Sequence, residues 1–283
     1  MPEKDITEKL LISCADVFAD CINVLAYGGE QRLEPGDLQH APTESFYQGR
    51  ERKHNQLCDK SFYHMEEGKI RTQYIIENET RMKRRQVLRK ASYQGGAYRE
   101  QLDSGIPIYP VISIVLDWTR KSTRMPMSIH KILKEQGRSE EELRLVDNVE
   151  LAVYHMRNLS GTARSRFKSD MGFVADYLNE GSFENRKQQV IRHGEELSEM
   201  MEALTGDRRF TEQMEELRMK REGREEVRMC EYIDMLEARG EEKAEIRLSK
   251  LIQFLLKEKK YSDIEKATSS REKCHELYRL YGI

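Results

Sequence analysis

The sequence predicts an α/β domain, a mixed β-sheet flanked by helices, followed by a charged α-helical C-terminal extension. Three observations carry this reading. The stretch NQLCDKSFYHMEEGKIRTQYIIENET holds two β-branched and aromatic runs joined at Glu66, Glu67 and Gly68, the pattern of a hairpin. PIYPVISIVLDWT is β-branched and almost wholly apolar, as a central strand covered on both faces must be. Beyond about Glu184 strand signals stop and apolar residues recur only at helical spacing.

Taken in order, residues 6–27 place Ile6, Leu10, Leu11, Cys14, Val17, Phe18, Cys21, Ile22 and Leu25 three and four apart, which predicts an amphipathic helix ended by Gly28 and Gly29. Gln31 to Glu51, with Pro35-Gly36 and Pro42, reads as a connecting segment. After the hairpin, Arg81 to Leu102 lacks β character and is expected to be helical, with Gly95-Gly96 weakening its middle. SIHKILKEQG predicts a short helix, LRLVDNVELAVYHM a strand and SRFKSDMGFVADYLNE a helix. Phe210, Met214 and Leu217 begin an apolar stripe through residues 210–256, the seam of a helix-packing or self-association surface. SREKCHELYRLYGI closes the chain as a terminal helix.

Composition narrows the function classes. Charged residues make up 35% and apolar residues 38% of the 283, so part of the chain is expected to be exposed helix. The net charge of −2 is not that of a generally basic nucleic-acid binder, and any such contact must come from a local patch. Five cysteines without a CxxC pair argue against a zinc site and a secreted disulfide framework, and a reducing cytoplasm is expected. No signal peptide is read at the start, and no apolar run approaches the roughly 20 residues a membrane helix needs.

Chemistry concentrates near the hairpin. Glu77 and Glu79, two apart on a strand, share a face, and the hairpin can bring Asp59 beside them. Three converging carboxylates make a hard oxygen site suited to Mg²⁺ or Mn²⁺, and such sites serve phosphodiester hydrolysis. Solvated edge-strand acids are the plain alternative. Six basic residues follow at once: Arg81, Lys83, Arg84, Arg85, Arg89 and Lys90. They read equally as a phosphate-binding patch for DNA or as a solvated helix face.

In order and spacing these segments resemble the Rpn-type (recombination-promoting nuclease) family of PD-(D/E)XK nucleases, which includes transposase-like bacterial proteins. VFADCINVLAYGGEQRLEPGDL resembles its opening helix, CDKSFYH and IIENET its two acidic strands, and GGAYREQL with YPVISIVLDW its next helix and core strand. SIHKIL, FKSDMGFVADYL and MCEYIDMLEARGEEKAE extend the resemblance over residues 5–250. It implies a restriction-endonuclease-like core over residues 1–183, a dimerisation or regulatory helical region over 184–283, and a Mg²⁺- or Mn²⁺-dependent endonuclease acting on double-stranded DNA as a homodimer. DNA mobility, recombination and defence against foreign DNA are the implied roles. Asp59 and Glu77 match the family's metal-binding acids.

Two departures stand out. Glu79 takes the place of the family's Gln, or the wider superfamily's Lys, and would act as a further ligand or base; Lys83, one turn on, would then supply the missing cation. Met82 is followed by lysine where relatives more often have proline. Asp20 matches a family Asp, either an additional acid near the metal or a solvated helix residue. The competing expectation is a catalytically inactive nuclease-fold protein that binds nucleic acid or a protein partner. Trp118 reads as a core or rim aromatic and His130 as structural, while His54 and His64 are given no role. Neither Ser160-Gly161-Thr162 nor Gly28-Gly29 makes a nucleotide-binding loop.

Overall fold

The computed structural model describes residues 11–48, 53–120, 127–220 and 227–282, excluding the side chains of 44–57, 220, 237, 239–244 and 271. The first helix, α1, runs Ala15–Leu25 and buries every residue from Val17 to Leu25. The predicted residues Ile6 and Leu10 lie outside the described residues. Gly28 and Gly29 turn the chain at positive φ, and a Cβ on Gly29 would stand 2.7 Å from the Arg166 side chain. The buried Asn23 amide then holds the departing chain. Its Oδ1 accepts from Arg32 N (2.9 Å) and Leu33 N (3.0 Å), and its Nδ2 donates to Leu33 O.

The segment expected only to connect instead forms β1 (Leu38–His40), paired antiparallel with the next sheet strand, and β2 (Glu44–Gln48), paired with β3 (Lys53–Leu57) in a separate two-stranded ladder. Strand β1 is short and mostly exposed, so no apolar alternation marks it. The hairpin forms as predicted from β4 (Lys60–Glu66) and β5 (Lys69–Glu79). Glu67 and Gly68 carry φ of 50° and 75°, the left-handed pair that matches strand twist.

Helix α2 spans Gln86–Ser104, beginning five residues later than the expected Arg81. Met82 is buried, and residues 83–85 make the turn into the helix. Gly95 and Gly96 leave it continuous. Helix α2 carries the chain across to β6 (Val111–Asp117), which lies parallel to β5, and β7 (Ala152–His155) lies parallel to β6. The sheet order is β1-β4-β5-β6-β7, antiparallel up to β5 and parallel beyond it. Between β6 and β7 lies α3 (Ile129–Glu135), capped by Ser128 Oγ, which accepts from Lys131 N.

Each sheet face packs differently because residues along a strand alternate. Phe62, Ile76, Ile114 and Leu116 join α1 and α4 (Met171–Glu180) in the main core. Cys58, Ile75 and Val111 pack against Tyr93 and Ala97 of α2. The main core does not stop where strand signals fade. It also takes in α5 (Gly194–Thr205), α6 (Arg209–Lys220) and the beginning of α7 (Met229–Lys257), through Met200, Phe210, Met214, Tyr232 and Ile233. Contrary to expectation, a two-residue ladder, β8 (Val190–Ile191) with β9 (Val227–Arg228), lies in this region. A separate apolar cluster joins Leu251 and Leu255 of α7 to α8 (Tyr261–Ser269) and α9 (Arg271–Tyr281). Among the described residues no helix is long and apolar enough to cross a membrane.

Candidate active site

Strand β5 reverses the sheet's sense, and its C-terminal end therefore meets the start of β4 on one side and the end of β6 on the other. Asp59 immediately precedes β4, and its Oδ2 accepts from Asn78 N at 2.7 Å. This bond fixes the carboxylate against the strand that carries Glu77 and Glu79. Both glutamates share the α2 face with Ile75, while Asn78 turns to the opposite face and its Oδ1 accepts from Trp118 Nε1 at 3.0 Å. Trp118 is thus a core aromatic, 2% exposed.

Burying an acid beside another acid is costly. Glu77 is 2% exposed, and its carboxyl is pushed up to about 8, first by burial and then by the neighbouring Asp59 charge, with Arg89 acting in the opposite direction. Glu79 is raised by burial, while Arg89 and Lys83 hold it down. Glu77 Oε1 is buried without a hydrogen-bond partner. The Cys58 thiol alongside is pushed up to about 12 by burial and then by the Glu77 and Asp59 charges.

The cation that hydrogen-bonds these acids is Arg89, while Lys83 acts on Glu79 through its charge. From the first turn of α2 Arg89 donates to Glu79 Oε1 at 2.9 Å and reaches Glu77 Oε2 at 3.4 Å. Tyr93, four residues on, accepts from both Arg89 Nη2 (2.8 Å) and Nε (3.2 Å), and Gln86 Oε1 accepts from Nη1 (3.2 Å). The predicted basic run is therefore divided. Arg81, Lys83, Arg84 and Arg85 are exposed ahead of the helix, with Arg84 paired to Glu135. Arg89 turns inward, and Lys90 Nζ donates to Glu150 O at 2.5 Å.

Among the described residues Asp20 shares no hydrogen-bond partner with the other acids. Its Oδ2 accepts from Lys168 N (2.8 Å) and Ser169 N (2.7 Å), tying α1 to the turn before α4. His130 Nε2 donates to Val146 O at 2.7 Å, a structural contact at the surface. The backbone of His54 lies in β3, and His64 pairs with Leu38 across β4 and β1.

A divalent cation is the group this resemblance implies, and the residues fit it in part. Asp59 and Glu77 supply hard oxygen donors, one of them unpartnered, and Mg²⁺ needs only one or two carboxylates when waters and phosphate complete its shell. Among the described residues no group of three or more His, Cys, Asp or Glu side chains is disposed to hold a metal, and Glu79 is engaged by Arg89. Two further residues meet at this sheet end. Asp117 closes β6 and His155 closes β7, with Nδ1 of the histidine 2.6 Å from Asp117 Oδ2. Neither was singled out from sequence; only their places at the ends of two apolar strands could have signalled them. Comparison with protein-family models, with curated proteins and with solved structures gives no match for this chain.

Proposed function

We propose that the chain is a Mg²⁺- or Mn²⁺-dependent DNA endonuclease with a PD-(D/E)XK-type core. The observation that carries the proposal is the buried, unpartnered Glu77 Oε1 beside the strand-anchored Asp59. The order of helix α1, antiparallel β1, β4 and β5, helix α2 and parallel β6 agrees with the core that the sequence resemblance implies. Asp59 and Glu77 would hold the metal. When bound, it would polarise a phosphoryl oxygen and acidify the attacking water.

The chain's own residues would do the rest. Asn78 N–H aligns Asp59, and Tyr93 with Gln86 aims Arg89, which hydrogen-bonds both glutamates. Arg89 would offset the charge of the acids, and Lys83, exposed yet acting on Glu79, would meet a phosphate. Arg81, Arg84 and Arg85, exposed ahead of α2, would meet the backbone of double-stranded DNA.

A second reading has specific support. Arg89 already bridges Glu77 and Glu79, as in a purely structural ion network that leaves a nucleic-acid-binding protein without catalysis. Supercoiled plasmid incubated with Mg²⁺ or Mn²⁺ separates the two. Nicking by the full chain, abolished in Asp59→Ala and Glu77→Ala proteins that remain folded, supports the nuclease. DNA binding without nicking under either metal supports the silent alternative.

A further inference from the structure

We infer that His155, oriented by Asp117, is a further catalytic residue of this site, accepting a proton from the water that attacks the phosphodiester; the inference rests on the nuclease reading above. Three observations bear on it. Glu79 and Asp117 are register partners across β5 and β6, and Asp117 and His155 are register partners across β6 and β7. Residues paired in this way point to one face, so the three groups form a row on the α2 side. Two strand spacings, about 10 Å, separate the outer members' backbones, with Asp117 between them.

The second observation is the asymmetry of burial. The Asp117 side chain is fully covered, whereas that of His155 is 39% exposed. Asp117 Oδ1 accepts from Thr119 N at 2.9 Å, and Oδ2 is left to receive the histidine. A carboxylate fixed in this way orients an imidazole and selects its Nδ1–H tautomer, leaving the Nε2 lone pair as an acceptor. The third observation is that Nε2 has no hydrogen-bond partner among the described residues. That nitrogen lies at the carboxyl ends of parallel strands, where ligands bind in open α/β sheets.

The step balances without a redox partner. The water oxygen bonds to phosphorus as its proton passes to His155 Nε2. The bond from phosphorus to the leaving deoxyribose oxygen breaks, and that oxygen takes a proton from solvent. His155 then returns its proton to solvent.

The full chain, His155→Ala, His155→Gln and Asp117→Asn are compared in a single-turnover plasmid-nicking assay with Mn²⁺. Thermal melts, plasmid binding in EDTA and histidine ¹⁵N spectra of the metal-free proteins accompany it. Loss of roughly 10²- to 10⁴-fold in nicking rate is expected for both His155 variants, with melting and binding unchanged and partial rescue of His155→Ala by added imidazole. The Asp117→Asn spectrum should lose the Nδ1–H tautomer. Nicking by His155→Ala at the parent rate overturns the inference and leaves the nuclease reading intact. Unfolding of both His155 variants also overturns it, in favour of a structural tie. Absence of nicking by the parent chain removes both readings.

Discussion

At the scale of single residues, Glu77 is the most heavily perturbed group near the site. In the unfolded chain its carboxyl ionises in the ordinary range near 4.5, whereas in the folded protein it stays protonated up to about 8. Between those values the folded state binds more protons than the unfolded state, so stability falls as pH rises through this window. The limiting slope is about 1.4 kcal/mol per pH unit. Glu77→Gln removes the group, and its melting temperature should decline less than the parent's between pH 5 and 8 in metal-free buffer. Parallel melting curves for the two proteins would show that Glu77 ionises normally. The acids themselves were legible in sequence because strand parity fixes which residues share a face. Arg89 was visible only as one of a charge run, since its direction depends on where α2 begins. With the first turn at Gln86, Arg89 and Tyr93 fall one turn apart, and the inward guanidinium follows.

Elements were legible in proportion to the apolar surface they bury. Strand β6 and the β4–β5 hairpin are plain in the sequence, whereas β1 and the β8–β9 ladder are too short to show alternation. The start of α2 was misplaced because Arg85 caps it without a side-chain hydrogen bond, so no Ser, Thr, Asp or Asn marks the boundary. Asp20 belongs at this scale, because its carboxylate joins α1 to the entry of α4. Asp20→Ala leaves a buried N–H unsatisfied at Ser169 and should cost roughly 1–3 kcal/mol by denaturant titration. Asp20→Asn retains an acceptor oxygen and should recover most of that loss while nicking at the parent rate. A folded Asp20→Asn protein devoid of nicking would instead make Asp20 one of the working acids.

For the molecule as a whole, the predominance of helix beyond Glu184 is legible, apart from the short β8–β9 ladder, but the extent of the core is not. Helices carry no mark of which partner they pack against, and Phe210, Met214 and Tyr232 turn out to close the same core as α1. The 210–256 stripe is thus divided between two clusters, with Leu251 and Leu255 serving the second. A chain ended at Ala238 keeps every residue of the first cluster. It should retain a single cooperative thermal transition within a few degrees of the parent, whereas one ended at Glu184 should lose it. Circular dichroism melts distinguish these outcomes.

The reversal of strand sense at β5 also governs the order in which this end of the sheet can be assembled. Asp59 and Asn78 meet across 19 residues of hairpin, whereas His155 reaches Asp117 across 38 residues that include α3. Each doubling of an intervening loop adds only about 0.6 kcal/mol of closure entropy, but the longer closure also waits on a crossover being seated. Early in folding the acids can stand together with nothing opposite them. The histidine side of the row would be completed only after that crossover is seated.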